Sequence, residues 1–359
     1  MSIHFYPLRI KKINKETDQC VSVEFEIPES LANSFQFKQG QSLTMRTNLA
    51  GEEVRRTYSL CSSPLDKKWK VAIKKVEGGL FSSFANENLK EGDELDVMEP
   101  VGKFYTELNP TNKKSYLAFA AGSGITPVIS IIKTTLRTEP QSTFTLVYGN
   151  RSRSSIIFFE ELEGLKNKFI DRFSFINILS RERTETPINF GRIDIGKLSE
   201  LEKLIDYKKM DEVFICGPEE MIFCVKNFLE QKDISEKKIH FELFTTSGQK
   251  KLKVKSEESK VESGPQSKIT VKVDGRSFDF GLSLNSDTTI LDAALKEGAD
   301  LPFACKGGMC CTCKAKLLEG EVEMDVHWGL EHEEVEQGYI LTCQSHPKTE
   351  KVVVDFDIK

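Results

Sequence analysis

Cys305-Lys306-Gly307-Gly308-Met309-Cys310-Cys311-Thr312-Cys313 decides how this chain is read. Three of its thiols stand in a C-x4-C-x2-C pattern, and Cys343 follows after 29 intervening residues. That spacing predicts a four-thiolate [2Fe–2S] centre with Cys305, Cys310, Cys313 and Cys343 as ligands. Each iron needs two thiolates. One loop supplies three, and a distant segment supplies the fourth and pins the centre to the fold. Gly307 and Gly308 let the backbone curl and turn N–H groups toward sulfur. Zinc is the competing occupant, but structural zinc sites favour paired C-x2-C units and a second pair is missing. Cys311 would break the spacing and is read as a non-ligand thiol.

The remaining four of the nine cysteines, Cys20, Cys61, Cys216 and Cys224, are scattered. An odd total, with no apolar signal-like start, predicts reduced thiols and a cytoplasmic protein. No apolar run approaches the roughly 18 residues of a membrane span, so membrane insertion is not expected. The length of 359 residues predicts two or three domains. The net charge of −5 argues against a nucleic-acid binder, and it is uneven. From Ser267 onward there are 10 basic and 17 acidic residues, whereas the rest is nearly neutral. Between 317 and 347 there are eight acidic residues and no Lys or Arg. That run reads either as a solvated surface or as an acidic face steering a basic partner. The five histidines form no ligand pattern.

Working back from the cysteine loop, the chain falls into segments. Residues 1–110 carry short alternating runs such as Val21-Ser22-Val23-Glu24-Phe25 and Lys70-Val71-Ala72-Ile73-Lys74 between glycine turns, which predicts an antiparallel β-barrel. Residues 111–246 alternate buried-type strands with helical patterns at 127–137 and 219–230. This predicts an α/β doubly wound parallel sheet. Residues 247–267 are polar and read as a linker. Residues 268–359 open with a hairpin signal at Asp274-Gly275, continue with a helix near 289–297, and close on a strand at 352–356.

The front segments hold candidate cofactor sites. In Arg56-Thr57-Tyr58-Ser59, alternation puts Arg56 and Tyr58 on one face, a cation beside an aromatic ring. Gly79-Leu80-Phe81-Ser82 opens a helix whose backbone N–H groups could take a pyrophosphate; alone, its Gly-Gly start is also an ordinary turn. Gly122-Ser123-Gly124-Ile125-Thr126-Pro127 follows a strand and opens a helix, but lacks the third glycine of the usual dinucleotide fingerprint. Asn150-Arg151, Ser180-Arg181 and Cys216-Gly217-Pro218 with Met221 end the next three strands. All four segments therefore fall on one edge of the expected sheet, where doubly wound sheets bind ligands.

Together these motifs resemble the ferredoxin–NADP reductase superfamily over residues 1–246, and a plant-type [2Fe–2S] ferredoxin domain of β-grasp α+β fold over 268–359. The domain order is similar to that of the reductase subunits of phenylacetyl-CoA epoxidase systems, and the doubled cysteine fits that group. The resemblance implies an FAD-binding barrel, an NAD(P)-binding domain and a ferredoxin domain. It implies that Arg56 holds the FAD pyrophosphate with Gly79 to Ser82, that Tyr58 stacks on the flavin, and that Ser59 lies near its reactive nitrogen. Ile73 and Lys74 would line the flavin by backbone and stem, and Glu242 and Phe244 would close it. Gly122, Gly124, Thr126 and Pro127 would accept the nicotinamide nucleotide, and Cys216 would approach its ring. Arg181, helped by Arg151 and Arg153, favours NADPH over NADH, although Glu182 stands close by.

The expected activity is that of an NAD(P)H:acceptor oxidoreductase. A nicotinamide gives two electrons together and the cluster takes one at a time, so a flavin must stand between them. The expected partner is an electron-accepting oxygenase component, phenylacetyl-CoA epoxidase foremost. A fatty-acyl desaturase or another hydroxylase is the alternative acceptor. An iron–sulfur redox-sensing binding protein is the non-enzyme alternative.

Overall fold

The computed structural model describes residues 4–244, 265–284 and 286–358. Tyr6–Phe244 forms one compact unit, and the described residues from Pro265 onward belong to a second. Residues 247–264 of the expected linker lie outside the described residues.

In the first unit, β1 (Phe5–Thr17), β2 (Cys20–Phe25), β3 (Ser42–Leu49), β4 (Glu52–Ser59), β5 (Trp69–Lys74) and β6 (Glu94–Met98) form a sheet in the order β4-β3-β6-β1-β2-β5. A bridge between Leu60 and Val71 brings the two ends of this sheet together and closes the barrel. Period-two alternation fills its interior: Leu8 and Ile10, Leu43 and Met45, and Val71 and Ile73 are all buried there. Helix α1 (Leu80–Glu87) adds Phe81 and Ala85 to the same core.

The second half of this unit is a wholly parallel sheet. β7 (Ser115–Ala121), β8 (Thr143–Asn150), β9 (Phe173–Leu179), β10 (Glu212–Gly217) and β11 (Ile239–Leu243) lie in the order β11-β10-β7-β8-β9. The chain winds outward from β7 through β8 to β9, then returns to the other side of β7 for β10 and β11. The crevice of a doubly wound sheet opens at that reversal, between the ends of β7 and β10. Helices α2 (Ile125–Thr138), α3 (Phe159–Lys168), α4 (Ile195–Leu201) and α5 (Glu219–Gln231) supply the covering layers. Ala118 and Ala120 of β7 share a core with residues of α2 and α3, while Phe119, on the opposite face, meets Tyr207. A strand buried on both faces reads as an unbroken apolar run, which makes this sheet legible in the sequence.

In the second unit, β12 (Gln266–Val273), β13 (Arg276–Ser283), α6 (Ile290–Lys296), β14 (Lys314–Glu319), β15 (Val322–Met324), α7 (His332–Glu336), β16 (Tyr339–Leu341), β17 (Ser345–Pro347) and β18 (Lys351–Asp355) follow one another. Five strands form a mixed sheet in the order β13-β12-β18-β14-β16, with β12 and β18 parallel. α6 lays Ile290, Leu291 and Ala294 onto a core shared with Ile269, Val271, Val352 and Val354. The hairpin turn falls on Asp274 and Gly275, at φ 49° and 70°, the paired left-handed residues of a tight β-hairpin.

One buried acid ties the first unit together. Glu139, which ends α2, is fully buried. Its carboxylate accepts from Asn109 N–H (3.0 Å), Asn112 Nδ2 (2.7 Å), Tyr116 Oη (2.9 Å) and Ser142 Oγ (2.7 Å), joining the segment that leaves the barrel to the parallel sheet. Four donors lose their acceptor in Glu139→Ala. We expect a loss of about 3 kcal/mol, seen as a thermal midpoint lower by roughly 6–12 °C. Glu139→Gln, which keeps one acceptor oxygen, should lose less.

Candidate functional site

Three groups of side chains gather where the sequence motifs fall. The first lies where barrel and sheet meet. On β4, Tyr58 packs its ring on Phe81 of α1, with centroids 5.6 Å apart. Burial pushes the Tyr58 hydroxyl well up, despite the opposing pull of Arg56. Thr57 shares a hydroxyl–hydroxyl hydrogen bond of 3.0 Å with Thr44 on the paired strand. Ser59 Oγ donates to Glu242 Oε2 at 3.1 Å. Glu242 of β11 stands in register opposite Cys216 of β10. Burial, and then the Glu242 charge, push the Cys216 thiol far up, so it stays protonated. Ser59, Cys216 and Glu242 thus converge from three strands, although they are far apart in sequence.

The second group surrounds the crevice. Gly124 approaches β10 so closely that a Cβ would stand 2.0 Å from the Cys216 carbonyl oxygen. Gly122, at φ 54°, carries the turn, and Tyr148 of β8 donates to its carbonyl at 2.8 Å. Tyr148 has no site role in the motif reading, because only the fold brings its hydroxyl onto this turn. The Thr126 hydroxyl is committed to the Ser123 carbonyl at 3.0 Å, so it shapes the loop from within. Pro127 is buried in α2, and Met221 packs against Gly217 just beyond Pro218. Beyond the strand ends, Ser180 N–H reaches Asn150 O and Arg181 N–H reaches Arg151 O, both at 2.9 Å, which aligns those two loops.

Two details add to the motif reading. The resemblance lays the backbone and stem of Lys74 along the flavin, and its ammonium reaches the Gly122 turn, 3.5 Å from where a Gly122 Cβ would be. Burial, and next the charge of Arg151, hold the Lys74 pKa below its ordinary value. Within the Gly79–Ser82 stretch, the Ser82 hydroxyl accepts from Val76 N–H (3.1 Å) and donates to the Gly79 carbonyl (3.3 Å), so the side chain builds the turn. Leu80 and Phe244 are exposed, whereas Phe81 and Ile73 are barrel core.

These residues fit two phosphate-bearing cofactors. Helix α1 starts at Gly79 and α2 at Gly124; neither has a side-chain cap or an acidic residue in its first turn. By contrast, α4 is capped by Asp194 and α6 by Thr289. The two uncapped starts leave backbone N–H groups for an anion. The pair of cations at the Gly122 turn, Lys74 and Arg151, suits a pyrophosphate.

The third group is the cysteine loop. Left-handed residues Lys306, Gly308 and Cys311, at φ 51°, 77° and 55°, curl it. Gly307 N–H points at Cys305 Sγ (3.3 Å) and Cys305 N–H at Cys310 Sγ (3.5 Å). The sulfurs group two and two, Cys305 with Cys310 and Cys313 with Cys343. Among the described residues no three Cys, His, Asp or Glu side chains close around one ion. Four thiols in two hydrogen-bonded pairs suit the two irons of a [2Fe–2S] centre. A hydrogen bond from Cys310, supported by backbone N–H groups, lowers the pKa of the Cys305 thiol, while the same contact and burial raise that of Cys310. Cys311 is turned elsewhere: its thiol donates to the Gly329 carbonyl at 2.8 Å. Gln344 stands beside the fourth predicted ligand, and the motifs assign it no role of its own. Its Nε2 donates to Lys306 O (2.9 Å), Cys343 O (2.8 Å) and Cys343 Sγ (3.7 Å), stapling the fourth-ligand segment to the loop.

Three family models match successive parts of the chain. Residues 7–105 match the oxidoreductase FAD-binding domain model, 119–227 the oxidoreductase NAD-binding domain, and 272–348 the 2Fe-2S iron-sulfur cluster binding domain. The chain is 44% identical to one of the subunits of the 1,2-phenylacetyl-CoA epoxidase of Escherichia coli, covering 99% of this chain and 98% of that one. It is 32% identical to the ferredoxin reductase component of 3-ketosteroid-9-alpha-monooxygenase of Rhodococcus rhodochrous, covering 97% and 96%. Among solved structures, phthalate dioxygenase reductase shares the fold at a TM-score of 0.60 and 24% identity, with 98% of each chain covered.

Replacing any one of Cys305, Cys310, Cys313 or Cys343 by Ser should abolish the visible iron–sulfur absorption. Cys311→Ser should retain it. Gln344→Leu should keep the cluster but lower its reduction potential in a dye titration, because an N–H donor to sulfur is lost.

Proposed function

Because the chain belongs to the family of oxygenase reductase components built from FAD-, NAD- and [2Fe–2S]-binding domains, we propose that it delivers electrons from NADPH to a phenylacetyl-CoA epoxidase in the cytoplasm. The observation that carries this reading is identity of 44% along essentially the full length of both chains, with all four cysteine ligands in place. No described helix is long and apolar enough to cross a membrane.

Residues 1–110 would hold FAD, 111–246 the nucleotide and 268–359 the cluster. Arg56 and the N-terminus of α1 at Gly79 would take the FAD pyrophosphate, with Tyr58 against the flavin. Lys74, Arg151 and the Gly122–Gly124 turn would take the nucleotide pyrophosphate. Bound FAD would supply the conversion between the two-electron nicotinamide and the one-electron [2Fe–2S] cluster. The chain's part is to hold and orient. The Ser59 hydroxyl donates a hydrogen bond to Glu242, which fixes it and would leave its oxygen as an acceptor toward the flavin. Cys216, kept neutral by burial, would offer a compact apolar contact to the nicotinamide.

NADPH preference would rest on Arg151 and Arg181. Arg153 stacks on Phe159 at 4.8 Å, and its N–H is held by Glu182 at 2.7 Å, so Glu182 is engaged with backbone. Arg181→Ala should then lower kcat/KM for NADPH about tenfold and leave that for NADH within twofold.

The test of the partner is reconstitution. Holoenzyme mixed with the epoxidase component, phenylacetyl-CoA and oxygen should consume one NADPH per epoxide formed. NADPH-driven cytochrome c reduction without epoxide formation would move the terminal acceptor to a desaturase or another hydroxylase. Negligible turnover with every acceptor would favour a redox sensor.

A further inference from the structure

Beyond the cofactor sites, a polar seam runs between barrel and parallel sheet inside the first unit. On the barrel side it follows the segment from Cys61 to Lys70, which joins β4 to β5. On the other side lies α2. Ser130 Oγ donates to Ser62 O at 2.6 Å, and the Thr134 and Ser63 hydroxyls bond at 2.9 Å. Arg137 pairs with Asp66. Positions 130, 134 and 137 follow the i, i+4, i+7 rule, so one stripe of α2 makes every link.

An ion cluster sits beside this stripe. Lys133, also on α2 and only 8% exposed, pairs with Glu161 of α3 at 2.8 Å. The other oxygen of Glu161 reaches Lys70 of β5 at 3.7 Å, and Lys70 also meets Glu16 of β1 at 3.9 Å. The Lys70 ammonium lies 4.9 Å over the ring of Phe158. Phe158 holds that position with φ 62°, a left-handed conformation costly for a bulky residue. Buried charges and a strained backbone persist only where surrounding contacts over-determine them.

What the seam connects gives it meaning. α2 carries the Gly122–Gly124 turn on its N-terminus, and the 61–70 segment connects the two strands that bear Ser59 and Ile73. We propose that this seam, with Lys133 and Glu161 at its centre, is the positioning device that fixes the nucleotide turn against the flavin strands for hydride transfer. The inference rests on the flavin and nucleotide sites proposed above. Hydride transfer needs the reacting atoms about 3–3.5 Å apart, and a 1 Å misplacement costs up to about a hundredfold. A helix gripped along a whole stripe cannot pivot on one contact. Lys133 and Glu161 touch neither proposed cofactor site, so their effect should fall on alignment and not on affinity.

The test uses holoenzyme variants Glu161→Gln and Lys133→Met, with Arg137→Gln as a milder change at the exposed end. Flavin bleaching by NADPH is followed in single turnovers. We expect the limiting rate to fall about tenfold while the nucleotide Kd stays within twofold. The deuterium isotope effect from 4-deuterated NADPH should become more temperature-dependent, and Lys133→Arg should recover part of the rate. Hydrogen exchange should rise over residues 61–70 and 125–138. If Lys133→Met does not fold, Arg137→Gln and Ser130→Ala carry the same expectation. A lower thermal midpoint with an unchanged limiting rate would overturn the proposal, as would rate and affinity falling together. If the unsubstituted holoenzyme is bleached by neither NADPH nor NADH, the underlying site reading fails instead.

Discussion

β5 serves two cores at once. Val71 and Ile73 point into the barrel, whereas Ala72 lies in the core shared with the parallel sheet. On the same side as Ala72, Lys70 lies over Phe158 and Lys74 reaches the Gly122 turn. Strand alternation leaves no other arrangement: once 71 and 73 are buried in the barrel, 70, 72 and 74 must face outward. Everything at the junction of the two halves follows from that face. It sets where the Gly122 turn stands, and it places Cys61 and the 61–70 segment under α2. A one-residue slip of β5 would turn Lys70 and Lys74 into the barrel interior in place of Val71 and Ile73, so the register is strongly enforced.

How much of this could be read beforehand depends on how local each feature is. The cysteine loop was legible because four ligands must obey a fixed spacing, three of them within nine residues. The parallel sheet was legible because its strands are apolar on both faces. The convergence of Gly122, Asn150, Ser180 and Cys216 on one edge followed from alternating strands and helices alone. What could not be read depends on tertiary partners. The direction of Lys74, the inward commitment of Ser82 and Thr126, the Tyr148 hold on Gly122, and Glu139 as a hub all require knowing which distant segment lies alongside. Gln344 is the sharpest case. It follows a ligand directly, yet its reach to Lys306 exists only once the strand and loop have met.

The acidic run at 317–347 also changes meaning in three dimensions. In sequence it has no basic residue. In the fold, lysines just outside it are brought back: Lys314 to Glu334 at 2.9 Å, Lys351 to Glu319 at 2.7 Å, and Lys348 to Glu323. Glu331 and Glu334 form a reciprocal cap at the start of α7. Several of the eight acids are therefore engaged locally. The solvated-surface reading gains from this, and a steering field for a basic partner would come from net domain charge rather than from a bare acidic face.

The sites are built differently because their occupants are held for different times. A cluster resides, so its loop is clamped twice: by Gln344 on the fourth-ligand segment, and by the Cys311 thiol with the Gly329 N–H bonded back to Gly308. A nicotinamide nucleotide must enter and leave in every cycle, so its site cannot close around it. The uncapped start of α2 would offer such a ligand backbone N–H groups, with rigidity behind them. Thr126 and Tyr148 spend their hydroxyls on the turn itself, and the stripe of α2 is fastened to the barrel. Precision in such a site cannot come from enclosing the ligand. It has to come from the frame, which explains why buried ions and strained backbone are concentrated behind the crevice.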